Sequence, residues 1–367
     1  MQGIQPPLYQ EPLPISSSGP PSRGRLRQRA LWQVLAVIVL AGALIAQFGW
    51  WGLAAKVTNY SGAHFNLGQN ATWVAHDWVG QTHRQSEYDA LAQRLQSAQI
   101  TYIFAHVGPL TGDGGILADR FPNARAFTAA LHARLPDLHI LAWIGQIYRV
   151  GADPSEDIID LSRSQTRDNI TTTAHTFTDT LGFDGIHYDI EPVPNNDNHF
   201  LDLLDATRSS IGAGKMLSLS TPNWIPVARV TDVLQTLRNQ ENVWWTTYYY
   251  GAVSKHVDQI VAMMYNTGMP TAPLYELVVQ QETAHILHTV AAASPTTRVI
   301  IAIPTYTQSP TRAFHASAEN IQTGLHAVIG GLNENDGLSA FAGLAIYPEW
   351  LTTDADWALY DQQWLGR

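Results

Sequence analysis

Cysteine is absent from the 367 residues, which rules out a disulfide framework and any thiolate metal site. Charge is scarce as well. Charged residues make up 14% of the chain against 45% hydrophobic ones, the balance of a globular protein with a large core and not of a disordered polyelectrolyte. Positive charge is scarcest where that core must lie. Four of the 21 Lys and Arg precede Lys56 with one of the 31 acids, so that from Lys56 onward 17 cations face 30 acids. A domain with this acidic surplus is a poor binder of nucleic acid, whereas neutral polymers such as glycans remain open as partners.

The N-terminal part reads differently from the rest. Residues 1–29 open with six prolines and a Ser16-Ser17-Ser18-Gly19 run and close on Arg23, Arg25, Arg27 and Arg29, a composition that cannot bury a core and predicts a disordered tail. Residues 30–55 carry no charge and end in Phe48-Gly49-Trp50-Trp51 and small residues. That is long enough for a membrane-spanning helix with tryptophans at the far interface, and the Arg cluster predicts a cytoplasmic N-terminus with the rest of the chain outside. A cleavable signal is the competing reading, with Ala54-Ala55 near a cut; the length of the apolar run and of its leader favours a retained single-pass anchor. Residues 56–71 are expected to form a Gly/Asn-rich stalk, and residues 72–367 the main domain.

Within that domain, short β-rich bursts alternate with longer segments of helical pattern. The bursts are 73–77, 100–106, 140–146, 185–191, 216–223, 260–266, 299–305 and 343–347. Apolar residues at three- and four-residue spacing predict helices over 86–96, 124–135, 199–211, 274–292 and 319–329, with a weaker, Thr-rich one over 156–181. Eight strand–helix units of this length predict an α/β fold, a (β/α)8 TIM barrel. The aromatic segment 243–256 fits either a sugar-stacking platform or a helix burying Trp245 and Tyr248; the helix is preferred.

The fourth burst carries the chemistry. Alternate side chains of an extended strand share a face, which places His187, Asp189 and Glu191 together and Ile186, Tyr188 and Ile190 on the other side. Three ionisable groups on one face of an apolar strand would be costly without a purpose. Catalytic residues in this fold collect at the C-terminal strand ends, which here offer Asp77, Trp78, Gln146, Tyr148, Asn223, Trp224, Tyr265, Asn266, Tyr347 and Trp350. Aromatic faces beside hydrogen-bonding groups suit a sugar.

The segment Asp184-Gly185-Ile186-His187-Tyr188-Asp189-Ile190-Glu191 resembles the Asp-x-x-Asp-x-Asp-x-Glu signature of glycoside hydrolase family 18, the chitinase family, with His187 in place of the second Asp. Met263-Met264-Tyr265-Asn266 resembles the family's Met-x-Tyr-Asp with an amide for the acid, Trp143-Ile144-Gly145-Gln146 keeps one Gly of Ser-x-Gly-Gly, and Tyr347 takes the place of a Trp under the reacting sugar. The resemblance implies a glycosidase acting on a β-linked polymer containing N-acetylglucosamine, of chitin or peptidoglycan type. It implies Glu191 as general acid, Asp189 and Tyr265 as holders of the acetamido group that itself attacks, and Asp184 and His187 in supporting places, with no cofactor. Two alternatives stand beside it. One is a chitinase-like lectin that binds glycan without hydrolysis; the other is a metal-dependent hydrolase using His76, His106 and His187, for which the spacing is weak and no metal is expected.

Overall fold

The structure is a computed structural model that describes residues 61–153, 155–222, 244–309, 311, 313–335 and 337–367. The expected tail and membrane span at 1–55 and the site candidates Asn223 and Trp224 lie outside the described residues. No helix among the described residues is long and apolar enough to cross a membrane.

Eight parallel strands close into a barrel in sequence order: β1 Asn70–Val74, β2 Ile100–Pro109, β3 His139–Ile147, β4 Gly185–Glu191, β5 Met216–Thr221, β6 Gln259–Met263, β7 Arg298–Pro304 and β8 Phe341–Tyr347. The longer helices among the described residues are α1 Gln85–Ser97, α2 Ala124–His132, α3 Ser164–His175, α4 Asn198–Ile211, α5 Thr247–Ser254, α6 Ala272–Ala293, α7 Ile321–Asn333 and α8 Asp354–Tyr360. This is the expected TIM-barrel architecture, and it arises because most strands are apolar on both sides, β4 and β5 being the ones whose inward faces are polar. One face packs outward against the helices, through residues such as Ile103, Ile186, Leu219 and Ile301. The other fills the barrel with Trp73, Phe104, Leu141, Val261, Ile300 and Ala345.

Several boundaries differ from the sequence reading. β1 begins at Asn70, three residues before the expected Trp73, because the Asn70 side chain belongs to the closure: Oδ1 accepts from Leu344 N at 3.1 Å and Trp364 Nε1 at 2.9 Å. The described part of the expected stalk is likewise packed on the domain, with Gly62 N donating to Gln363 O. The Thr-rich helix covers only 164–175 with a π-helical turn to Thr180, since Asp160 draws 151–162 into a loop by accepting from Gly151 N, Ser162 N and Ser162 Oγ. The 243–256 segment does form a helix, α5, and Trp245 is buried at its entrance, but Tyr248 is 79% exposed while Tyr249 and Tyr250 are buried in its stead.

Two strand starts, those of β4 and β6, are fixed by side-chain carboxylates. Asp184, one residue before β4, accepts from Ile140 N at 2.8 Å and pairs with His132 at 2.9 Å. Asp258 repeats the device one residue before β6, accepting from Leu217 N at 2.8 Å and from Arg208. Both tie a strand to its neighbour at the barrel end away from the strand C-termini. Asp184→Ala should lower unfolding free energy by about 1–3 kcal/mol, since it strips the acceptor from a buried-strand N–H. Urea denaturation measures this, and a change under about 0.5 kcal/mol would show the clamp to be dispensable.

Candidate active site

β4 carries the centre of the site because its alternate residues point into the barrel and its C-terminal end opens at the mouth. Glu191, Asp189, Met263, Tyr265, Asn266, Tyr306, Tyr347 and Trp350 line an open cleft of about 420 Å³, with Gln308, Ser309, Thr311, Pro348 and Leu351 at its edge. Asp189 is held from β3: Trp143 Nε1 donates to its Oδ2 at 2.9 Å. Its Oδ1 is buried and has no hydrogen-bond partner. The neighbouring strand approaches this closely because residue 145 is glycine; a Cβ there would lie 2.9 Å from Asp189 O.

Electrostatics follow from enclosure. Glu191 is pushed up to about 8, first by burial of its carboxyl and then by the charge of Asp189. Asp189 is also raised by burial, against the opposing effect of its hydrogen bond from Trp143 and of the Ser220 hydroxyl nearby. Two carboxyls two residues apart in a poorly solvated strand end resist carrying two charges, so the pair retains a proton at neutral pH. His187, further inside, is fully buried and held well below its usual range by burial. It is therefore a neutral imidazole.

Aromatic rings form the wall. Tyr265 and Tyr347 stack with ring centres 5.0 Å apart at 12°, and Tyr306 meets Tyr347 edge-on at 5.8 Å. Tyr347 also rests on the edge of Trp73 at 5.1 Å. Asn266 sits at φ +56°, held by Glu319, which accepts from Asn266 N at 2.6 Å and from Thr267 N and Oγ1. Tyr306 OH then donates to Asn266 Oδ1 at 3.1 Å, which leaves the amide nitrogen as the group offered to the cleft.

The structure thus brings together Asp189, Glu191, Tyr265, Asn266, Tyr347 and Trp350 from the sequence-predicted set. Others sit elsewhere. Trp78 stacks under His83 at 4.2 Å and packs against Tyr88 and Phe127 on the helical layer. Exposed Asp77 lies on the β1 side of the rim, near Glu349. Gln146 spends both ends of its amide on backbone, donating to Leu110 O and accepting from Ile147 N. Tyr148 OH donates to Asp197 Oδ2 at 2.7 Å, and Asp197 caps α4, so this tyrosine braces the loop that follows Glu191. Trp245 and Tyr249 brace the same loop by donating to Val193 O and Asp197 O. Asp184 stands seven residues from Glu191, at the closed end. Trp143, Ser220 and Glu319 were missed; for Trp143 the signal was its place on the inward face of β3, directly across from His187. Among the described residues, no group of three or more His, Asp or Glu is placed to hold a metal ion.

The enclosed pair has a direct spectroscopic consequence. In carboxyl-labelled protein the Glu191 signal should titrate near pH 8, far above the ordinary 4.5, and Asp189→Asn should move it down by removing the adjacent charge. A native midpoint in the ordinary range would mean that the carboxyl is solvated.

Comparisons with known proteins converge on one family. The chain resembles the crystal structure of the spore cortex-lytic enzyme SleL of Bacillus cereus, with 14% identity, a TM-score of 0.54 and coverage of 80% of this chain and 74% of that one. A chitinase of Chromobacterium violaceum gives 14% identity, a TM-score of 0.52 and coverage of 82% and 99%. A Bacteroides thetaiotaomicron chitinase gives 14%, 0.51, and 81% and 94%. These likenesses speak to the fold. No curated protein sequence matches the chain. The profile of glycosyl hydrolases family 18 matches residues 77–363, which takes in all of the strands after β1 and every cleft residue described above, and the chain belongs to that family.

Proposed function

We propose that the protein hydrolyses a β-linked glycan containing N-acetylglucosamine, of chitin or peptidoglycan type, with the substrate's own acetamide as nucleophile. The observation that carries this reading is the pair at the end of β4: a carboxyl, Glu191, that keeps its proton, beside a carboxylate, Asp189, with one buried oxygen unsatisfied. Ordinary retaining glycosidases need two carboxyls about 5–5.5 Å apart across the sugar. Among the described cleft-lining residues the acids are Asp189 and Glu191 alone, and two positions on one strand cannot flank a ring. This supports a nucleophile supplied by the substrate, as the family 18 resemblance implies.

In this mechanism Glu191 gives its proton to the leaving glycosidic oxygen as the acetamide oxygen bonds to the anomeric carbon. Asp189 Oδ1 accepts the amide N–H and balances the positive charge that develops on the ring so formed. Glu191, now ionised, takes a proton from water as the water opens that ring, which restores the starting state. Tyr265 and Tyr347 offer phenols and ring faces to the sugar in the −1 position, and half-exposed Trp350 extends the aromatic surface outward. Proteins of this fold named as chitinases and as a spore cortex-lytic enzyme mark the two glycan types to try first.

Glu191→Gln should lower turnover at least ~10²-fold with glycan affinity little changed, because the amide keeps size and reach but has no proton to give. Oligomers without the N-acetyl group at the cleaved sugar should be inert. Product analysis after incubation with N-acetylglucosamine oligomers and with peptidoglycan reads both; glycan binding without hydrolysis by the native protein would establish a lectin. The rate should fall as pH rises through about 8, where Glu191 loses its proton, and on the acid side as Asp189 becomes protonated above its ordinary range. An alkaline limb that survives in Glu191→Gln would belong to another group.

The uncharged run at 30–55 behind four arginines further supports a single-pass anchor with the barrel outside the cytoplasm. Protease added to intact cells should then degrade the barrel and spare the Pro-rich tail, whereas a mature N-terminus near Lys56 would mean a cleaved signal.

A further inference from the structure

His187 sits in the middle of the barrel, 0% exposed, with its ring stacked on Phe104 at 3.8 Å and edge-on to Trp73 at 5.7 Å. Both ring nitrogens are committed. Nδ1 lies 2.9 Å from Ser218 Oγ and Nε2 3.0 Å from Ser220 Oγ. The direction of each bond follows from Gln259, whose Oε1 accepts the Ser218 hydroxyl hydrogen at 2.8 Å. Ser218 has one hydrogen and has given it away, so it must accept from His187, and Nδ1 carries the proton. In a neutral ring Nε2 is then an acceptor, and it takes the hydrogen of Ser220. Ser220 also borders Asp189, where its hydrogen would favour the ionised carboxylate if it turned that way. One hydroxyl hydrogen cannot serve both, and Asp189 Oδ1 is indeed without a partner. Asp189 is the ionisable neighbour among the groups these contacts reach; those on β1, β2, β5 and β6 are uncharged.

We propose that His187 is a positioning residue that acts on Asp189 through Ser220: by holding the Ser220 hydrogen at Nε2 it keeps Asp189 Oδ1 clear for an amide N–H of the substrate. The inference rests on the acetamide reading above and adds to it a cause for the vacancy of that oxygen. A serine free to donate would fill Oδ1 from within, and each incoming N-acetyl group would have to displace it.

The test is a double-mutant cycle with a nitrogen NMR measurement on the native protein. His187→Phe keeps a ring against Phe104 but releases Ser220, so KM for an N-acetylglucosamine oligomer should rise about tenfold with a smaller effect on kcat. Adding Ser220→Ala removes the competing hydroxyl and should bring KM back to within about threefold of native. A structural role for His187 predicts no such rescue, and a double variant no better than the single one overturns the proposal. In the native protein, the His187 nitrogens should report the Nδ1–H tautomer across neutral pH; an Nε2–H ring or an imidazolium overturns it without recourse to any variant. If the native protein cleaves no oligomer, the acetamide mechanism fails separately, and calorimetric affinity for the same oligomer replaces KM in the cycle.

Discussion

Two carboxyls on successive inward positions of one strand, half-buried at the mouth of the barrel, set the terms for the rest of the molecule. Burial makes a second negative charge there expensive, and that single constraint keeps a proton on the pair at neutral pH. The surrounding parts divide the two acids by what they offer each one. Asp189 sits against a glycine that lets the strands close up, and the donor it receives from Trp143 on β3 opposes the upward push of burial on its carboxyl. Glu191 has its enclosure and its neighbour's charge, which favour the proton. The barrel is the means by which two neighbouring strands, β3 and β4, deliver these contacts to one place.

The wall of the cleft follows a similar logic with rings in place of charges. Tyr265 and Tyr347 present flat faces because each is pinned by the other and by the edges of Tyr306 and Trp73. Such a wall is rigid before any ligand arrives, so a sugar meeting it need not order the side chains that bind it. Asn266 reaches the same state by a different route, held in a left-handed backbone conformation by a buried carboxylate from the segment preceding α7.

Legibility in the sequence tracked the distance over which a signal acts. The strands were readable because a barrel strand is apolar on at least its outward face and announces itself in a short β-rich run; all eight bursts overlap an observed strand. Asp189 and Glu191 were readable because the two-residue period of a strand places them by local geometry alone. The position just past a strand end was not enough. Trp78 and Tyr148 stand there and Gln146 near the end of β3, yet each turns away to pack on a helix, brace a loop or tie down backbone, and what decides this is not encoded in the strand period. Tyr248 was placed inward because it shares a cluster with Tyr249 and Tyr250, and only the entry angle of α5 tells them apart. Ser220 and Glu319 gain their roles from residues 31 or more positions away, through register that no local pattern carries.

The clamps formed by Asp184 and Asp258 divide the barrel lengthwise. They fasten neighbouring strands at the end remote from the cleft, using side chains that take no part in it, so closure of the sheet does not depend on the loops at the mouth. Variation can therefore be confined to those loops: a lineage, or a designer, can exchange the segments after β6, β7 and β8 to fit another glycan while the opposite rim continues to hold the strands in register.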